Sequence, residues 1–299
     1  MRLGKIILLV LFSYSAHSEY FKKVSPKTLV FEEKSFHLVF MARKFNQGEV
    51  IVVKLIEKTP LEKLGIQWDG RELKYSNNKK SKLLFIPVDP EYNKNFGIVK
   101  VSYKTGNLNQ SHSYEIGIYN GGFKILGNLN VGDRFSKKYS KTELAFIKKC
   151  TQLKKKAFKT SRDILFSGNF VYPVKNREVN SNFYSKRRYN NRKKYKAHRG
   201  VDLKGKEGDP IYAIQDGIVE LSREMFFEGI MTILNHGNGI FSIYMHQSKT
   251  IVKEGSSIKK GQLIGNIGST GMSTGPHLHL AVKINGIFVD PLSLLAIRL

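Results

Sequence analysis

Gly268-Ser269-Thr270-Gly271-Met272-Ser273-Thr274-Gly275-Pro276-His277-Leu278-His279-Leu280-Ala281-Val282 reads as a glycine-rich turn feeding a β-strand. Pro276 fixes the start of that strand, and Leu280-Ala281-Val282 continues it. Residues i and i+2 of a strand share a face, so His277 and His279 point into one site while Leu278 packs behind them. Around this stretch, from about residue 167 to the end, glycines and turn residues interrupt short apolar runs every eight to twelve residues or so. No long amphipathic helix interrupts the pattern, so the region reads as an antiparallel sheet or compact barrel rather than a βαβ fold.

Five of the eight histidines lie between positions 198 and 279. In His198-Arg199-Gly200-Val201-Asp202 an imidazole and a carboxylate stand four residues apart. Zinc takes such donors at about 2 Å, which puts two of them only about 3 Å apart. A fully extended segment would separate the two Cα atoms by about 13 Å, so the segment must bend, with Gly200 supplying the freedom. Two histidines and one carboxylate make a three-ligand zinc site with a fourth position open for water. Tyr244-Met245-His246 follows a strand expected over 240–245, and a histidine free of metal can take or give protons near neutral pH. Taken singly these signals are weak. A His and an Asp four apart arise by chance, His246 alone reads as a structural histidine, and so does His236 in its turn-like Asn235-His236-Gly237-Asn238-Gly239. Cys150 is the single cysteine, which excludes an intramolecular disulfide and a cysteine-built zinc site; it reads as a small buried residue on a helix.

The 299 residues are enough for two domains. Between about 25 and 120, Val99, Val101 and Tyr103 alternate with Lys100, Ser102 and Lys104, and Tyr114, Ile116 and Ile118 behave likewise. With Val50-Ile51-Val52-Val53 and turn-rich stretches such as Tyr75-Ser76-Asn77-Asn78, this predicts an immunoglobulin-like β-sandwich of six or seven strands. Its histidines, His37 and His112, are isolated and read as structural. A connector over 121–166 contains Ser140-Lys141-Thr142-Glu143, a capping box, ahead of a basic helix expected over 141–158 whose lysines read as a solvated face. The fold class is therefore mainly β: an N-terminal sandwich, a basic helical connector, and a C-terminal antiparallel sheet domain over 167–299.

At the start, Arg2 and Lys5 precede an apolar run at 6–12 and the small-residue pattern Ala16-His17-Ser18. That layout predicts a signal peptide over 1–18 and an exported protein, in the periplasm, cell envelope or outside the cell. The run is far shorter than the roughly 20 residues of a spanning helix, so no stable membrane anchor is expected. Lys and Arg total 50 against 24 Asp and Glu, a net charge of +26. Such a surface attracts polyanions. Export and the lack of a recognition module count against nucleic acid and favour anionic wall polymers.

Taken in order, these segments resemble the catalytic domain of the lysostaphin-type (LytM-like) zinc metalloendopeptidases. The likeness spans about 168–295 and is carried by the three histidine segments, Asn235 to Gly239, the run from Val252 to Gly265, the stretch quoted first, and Val289-Asp290-Pro291-Leu292. It implies that His198, Asp202 and His279 hold Zn2+. It also implies that His246 and His277 are catalytic without binding metal; of the two, we assign His277 as general base and His246 as oxyanion stabiliser or proton donor. The implied activity is hydrolysis of peptide cross-links in bacterial peptidoglycan by metal-activated water; stem-peptide cross-links and glycine bridges are both within the family's range, and stem-peptide cross-links are favoured here because they serve most walls. Two departures stand out: Gln247 replaces a common Leu, and Tyr184-Ser185 stands where a Gly is common, ahead of the basic Lys186-Arg187-Arg188 to Lys193-Lys194. Tyr189 and Tyr195 are further candidates for a transition-state contact. The N-terminal region more faintly resembles a sandwich domain preceding such peptidases, which would bind wall polymer, dock a partner, cover the groove or act as a spacer. The rival reading is a catalytically inactive wall-binding regulator that activates another hydrolase; the five filled positions weigh against it.

Overall fold

In the computed structural model of the protein, residues 27–299 are described, apart from 79–80, 133–134, 136 and 192. The expected signal peptide lies outside the described residues. Among them, no helix is long and apolar enough to cross a membrane. The chain forms two compact units, one up to Gly121 together with Ala296–Arg298, the other Gly122–Leu295 with Leu299.

The first unit is built from β1 (Lys27–Glu32), β2 (Phe36–Ala42), β3 (Val50–Glu57), β4 (Glu62–Trp68), β5 (Arg71–Glu72), β6 (Tyr75–Asn78), β7 (Ser81–Pro87), β8 (Phe96–Thr105) and β9 (Leu108–Gly117). They form two antiparallel sheets, β1-β2-β3-β7-β6 and β5-β4-β8-β9. One core lies between them: Phe36, Leu38, Val53, Leu84 and Ile86 meet Ile66, Trp68, Val99, Val101 and Ile116. Burying each such side chain contributes about 1.5–3 kcal/mol, which is why the period-two alternation specifies which face turns inward. Tyr75-Ser76-Asn77-Asn78, expected as a turn, is the edge strand β6, tied by the Tyr75 hydroxyl to the Leu64 carbonyl at 3.0 Å. His112 sits between the Tyr103 hydroxyl, at 3.2 Å, and a Glu33 carboxylate oxygen, at 3.4 Å. His37 lies 3.6 Å from Glu32.

The second unit begins with β10 (Ile125–Leu129) and α1 (Lys141–Ala157). The capping box forms as read: Ser140 Oγ accepts from the Glu143 amide at 3.1 Å, and the Glu143 carboxylate accepts from the Ser140 amide at 2.8 Å. Cys150 is buried on this helix. The connector adds an element to the expected helix and corrects one expectation about its lysines. It contributes a strand as well as a helix, because exposed Ile125 and Leu126 carry no alternation and β10 forms only by pairing with a distant segment. And the helix lysines are not uniformly solvated: Lys154 makes a part-buried ion pair with Glu228.

There follow β11 (Val179–Ser181), β12 (Lys186–Tyr189), β13 (Lys196–Ala197), β14 (Val201–Lys204), β15 (Pro210–Tyr212), β16 (Gly217–Met225), β17 (Gly229–Gly237), β18 (Ile240–Thr250), β19 (Ser257–Ile258), β20 (Leu263–Ile267), β21 (His277–Ile284), β22 (Ile287–Val289) and the short α2 (Pro291–Leu295). An antiparallel sheet runs β11-β14-β21-β18-β17-β16-β19, with β15, β20 and β22 attached to its flanks. A small separate sheet, β10-β12-β13, joins β10 in parallel to the β12–β13 hairpin. Helix α1 packs on β16 over a core that includes Cys150, Leu221, Phe226, Ile233 and Phe241.

Candidate active site

The sheet register does most of the assembly. On β14 and β21, Asp202 and His279 are direct cross-strand partners, and His277 lies opposite Lys204. Direct partners share a face, so Asp202, His279 and His277 converge. His198 comes from the bend between β13 and β14, where its amide donates to the Ser185 carbonyl at 3.0 Å and its carbonyl accepts from the Tyr184 amide at 2.7 Å. The segment bends as expected, but Gly200 serves another purpose than backbone freedom. Its φ is not in the left-handed range; instead, a Cβ there would lie 2.5 Å from His279 Nε2 and 2.5 Å from the Leu280 carbonyl oxygen. Gly200 lets the loop lie directly on β21.

His198 Nε2, Asp202 Oδ1 and His279 Nδ1 form a triangle with sides of 2.9, 2.9 and 3.0 Å. His198 Nδ1 lies 3.0 Å from the Asn182 carbonyl, which can only accept, so Nδ1 is protonated and Nε2 is the nitrogen turned toward Asp202 and His279. Asp202 is largely buried, which opposes its ionisation, but hydrogen bonds and charge from His198 and His279 outweigh this and hold it well below the usual carboxylate range. Burial pushes the His279 imidazole down, reinforced by His198 and His277 and opposed by Asp202. Three nearly dry donor atoms held this close without a cation between them are unfavourable. Around a tetrahedral ion with bonds of about 2.0–2.1 Å, ligand atoms lie about 3.3 Å apart, so opening each side by a few tenths of an ångström suffices. The donor set and its spacing fit a metal ion, and these three residues would hold it.

His246 and His277 border the triangle. Their rings are 5.0 Å apart, and His246 lies 6.0 Å from His279. His277 Nδ1–H donates to the Gly275 carbonyl at 2.8 Å, leaving Nε2 free, 3.6 Å from Asp202 Oδ1. His246 Nδ1–H donates to the Thr270 carbonyl at 2.8 Å, leaving its Nε2 free as well. Burial, followed by repulsion from His279 and His277, lowers the His246 pKa to about 3. In the β18–β21 register Met245 pairs with His279, so a regular strand would aim His246 at the opposite face. It escapes by adopting φ +62°, a left-handed conformation rare outside glycine, where the ladders of β18 are irregular.

The surroundings add residues that motif reading did not supply. The carbonyls of Asn182, Thr270 and Gly275 fix the three ring tautomers. Tyr184, at the position where a glycine is common, adopts φ +56° and is held by Phe123, whose ring centroid is 4.8 Å away. Gln247 is fully buried and donates to Thr232 at 3.0 Å and the Tyr244 carbonyl at 3.2 Å. Arg187 donates to Ser181 Oγ at 2.7 Å, behind His198. Of the two tyrosines, Tyr189 is half-buried on β12 and its pKa is raised by burial, whereas Tyr195 is exposed beneath Arg188. His236 is fully buried with both ring nitrogens engaged, by the Asp216 carbonyl at 2.6 Å and Ser242 Oγ at 2.8 Å, as a structural residue.

Residues 196–291 match Peptidase family M23 and carry that peptidase domain, in agreement with the lysostaphin-type resemblance of the sequence. The chain is 41% identical over 119 residues to peptidoglycan DD-endopeptidase ShyC of Vibrio cholerae, covering 40% of this chain and 28% of that protein. It is 37% identical over 99 residues to the DD-carboxypeptidase/endopeptidase Mpg of Neisseria meningitidis, covering 33% and 23%. The chain thus matches about a quarter of the length of these relatives. A Pseudomonas aeruginosa structure provisionally assigned to peptidase M23 covers 85% of this chain and 96% of its own at 23% identity and a TM-score of 0.60, a likeness of fold.

Proposed function

We propose that the protein is an exported zinc metalloendopeptidase that hydrolyses peptide cross-links of bacterial peptidoglycan. The observation that carries this reading is the triangle of His198 Nε2, Asp202 Oδ1 and His279 Nδ1, closed to within 3.0 Å, with two histidine Nε2 lone pairs beside it. Peptidoglycan as substrate is supported by the activities named for the V. cholerae and N. meningitidis relatives. A bound Zn2+ would supply Lewis acidity and an activated water. His277, with its Nδ1–H tied to Gly275, accepts the proton from the attacking water through Nε2. His246, held by Thr270 and unprotonated at rest because burial lowers its pKa to about 3, gains a proton at Nε2 only as negative charge develops on the carbonyl oxygen, and there stabilises that oxygen or protonates the departing amine. The basic surface concentrates the enzyme on anionic wall polymers.

The strand orders β2-β3-β7-β6 and β5-β4-β8-β9 support an immunoglobulin-like reading of the first unit, with β1 as an added edge strand. Residues 1–18 act as the export signal, 25–120 as the accessory domain, 121–166 as the connector and 167–299 as the peptidase domain. The deciding experiment measures metal content of the purified mature protein and the peptides it releases from isolated wall, by mass spectrometry, with His279→Ala as control. Metal-free protein that releases no peptides would overturn the proposal, and release of peptides cut at glycine bridges would overturn the preference for stem-peptide cross-links.

A further inference from the structure

The position of His246 depends on two neighbours that the chemistry itself does not use. Its ring is held by the Thr270 carbonyl, and its amide donates to the Glu228 carbonyl at 2.9 Å. Glu228 belongs to the Phe226-Phe227-Glu228 turn between β16 and β17, where Met225 pairs with Gly229. This turn and the 270–272 loop interlock. The Met272 amide donates to the Phe227 carbonyl at 2.8 Å, the Ile230 amide donates to Thr270 Oγ1 at 2.9 Å, and a Cβ on Gly229 would lie 2.2 Å from Thr270 Oγ1. Whatever fixes the turn therefore fixes both supports of His246.

On its other side the turn meets the connector. Phe226 packs against Tyr139 and Phe146, with ring centroids 5.3 and 6.2 Å away. The Glu228 side chain is only 13% exposed, one of its oxygens is buried without a partner, and the other is bonded by Lys154 Nζ from α1. A buried carboxylate stripped of its cation must find water, and this one can do so only by dragging the turn outward. We infer that Lys154 is a positioning residue for His246, acting through Glu228, so that the connector helix braces the catalytic site. This rests on the reading of His246 as catalytic, but the brace itself can be measured without turnover.

The test uses the full mature chain carrying Lys154→Met, Lys154→Arg, or Lys154→Met with Glu228→Gln. Hydrogen exchange by mass spectrometry follows the peptide containing the His246 amide against peptides of β16 and β21, alongside metal content, kcat and KM on isolated wall. Lys154→Met is expected to speed exchange at His246 about tenfold or more while β21 stays protected. It should lower kcat about ten- to hundredfold, with KM within a factor of about two and metal retained. Arginine should keep wild-type values, and the double variant should recover them because no unpaired charge is left buried. Unchanged exchange and kcat in Lys154→Met would overturn the inference even if its melting temperature fell. So would a double variant that stays unprotected or fails to fold, since packing rather than charge would then be the cause. If wild-type protein releases no peptides, the proposed function falls while the exchange arm still decides the brace.

Discussion

Gly200→Ala tests how the metal triangle is held. The added methyl would meet His279 Nε2 at 2.5 Å, His279 Cε1 at 2.8 Å and the Leu280 carbonyl oxygen at 2.5 Å, against an ordinary contact of 3.4 Å or more. Relief needs a shift of about 1 Å, and it cannot come from one flexible side chain, because the carbonyl is backbone of β21 and β21 is paired to β14 on the same edge. Overpacking of this kind costs about 1–3 kcal/mol of stability. The same shift moves His279 Nδ1 against His198 Nε2 and Asp202 Oδ1, whereas ligand positions tolerate only about 0.2 Å. Metal affinity should fall about 100-fold, the upper end of what losing ligand support costs. At fixed excess metal that removes about 2.7 kcal/mol of metal-dependent stabilisation. Chelator competition gives the affinity, and thermal melts with and without Zn2+ give the lost stabilisation. Gly275→Ala is the control: it adjoins the site, yet its Cβ would meet nothing within 4 Å. It should bind metal within about threefold of wild type. A Gly200→Ala protein with wild-type affinity and activity would refute the close-approach argument.

Other outcomes follow from the same geometry. His236 titrates near 6.5 in the unfolded chain but at about 4 when buried, so between those values the unfolded chain binds more protons and acidification favours unfolding. The burial penalty is absent above pH 6.5, grows as pH falls to 4, and reaches about 3 kcal/mol; denaturant melts of His236→Gln should lack that slope. His246→Ala and His277→Ala should each keep metal but lose at least about 100-fold in kcat. Their pH–rate profiles should lose different limbs, and loss of the same limb in both would undo the division of labour. Hydrolysis of isolated wall should weaken as ionic strength rises toward about 1 M, where the screening length shrinks to about 3 Å. Activity independent of salt would dissociate the net charge of +26 from substrate capture.

What the sequence reveals about this site divides by the range of the cause. The capping box of α1, the alternation of Val99, Val101 and Tyr103, and the shared face of His277 and His279 are local, and each appears in the structure where local rules place it. Local rules fail where a partner distant in sequence sets the conformation. β10 becomes a strand only against β12, and Tyr75-Ser76-Asn77-Asn78 becomes β6 only against β7. Lys154 looks like one more solvated lysine until Glu228, 74 residues away, is brought beneath it.

His246 is the sharpest case, because the local rule predicts the wrong face for it. Continuing β18 regularly would send its ring away from the triangle, since Met245 already shares a face with His279. The left-handed φ that reverses this costs a non-glycine residue about 1 kcal/mol or more, and nothing in Tyr244-Met245-His246 recovers it locally. The compensation is tertiary: the Glu228 carbonyl takes the amide, the Thr270 carbonyl takes Nδ1–H, and the glycines at 229 and 271 let the two loops close to contact. A histidine held this way cannot swing freely to serve another tautomer or another partner. Its Nε2 lone pair is therefore presented to the triangle before any substrate arrives, and the strain at one residue is matched by supports drawn from two hairpin loops and, through Lys154, from the connector helix.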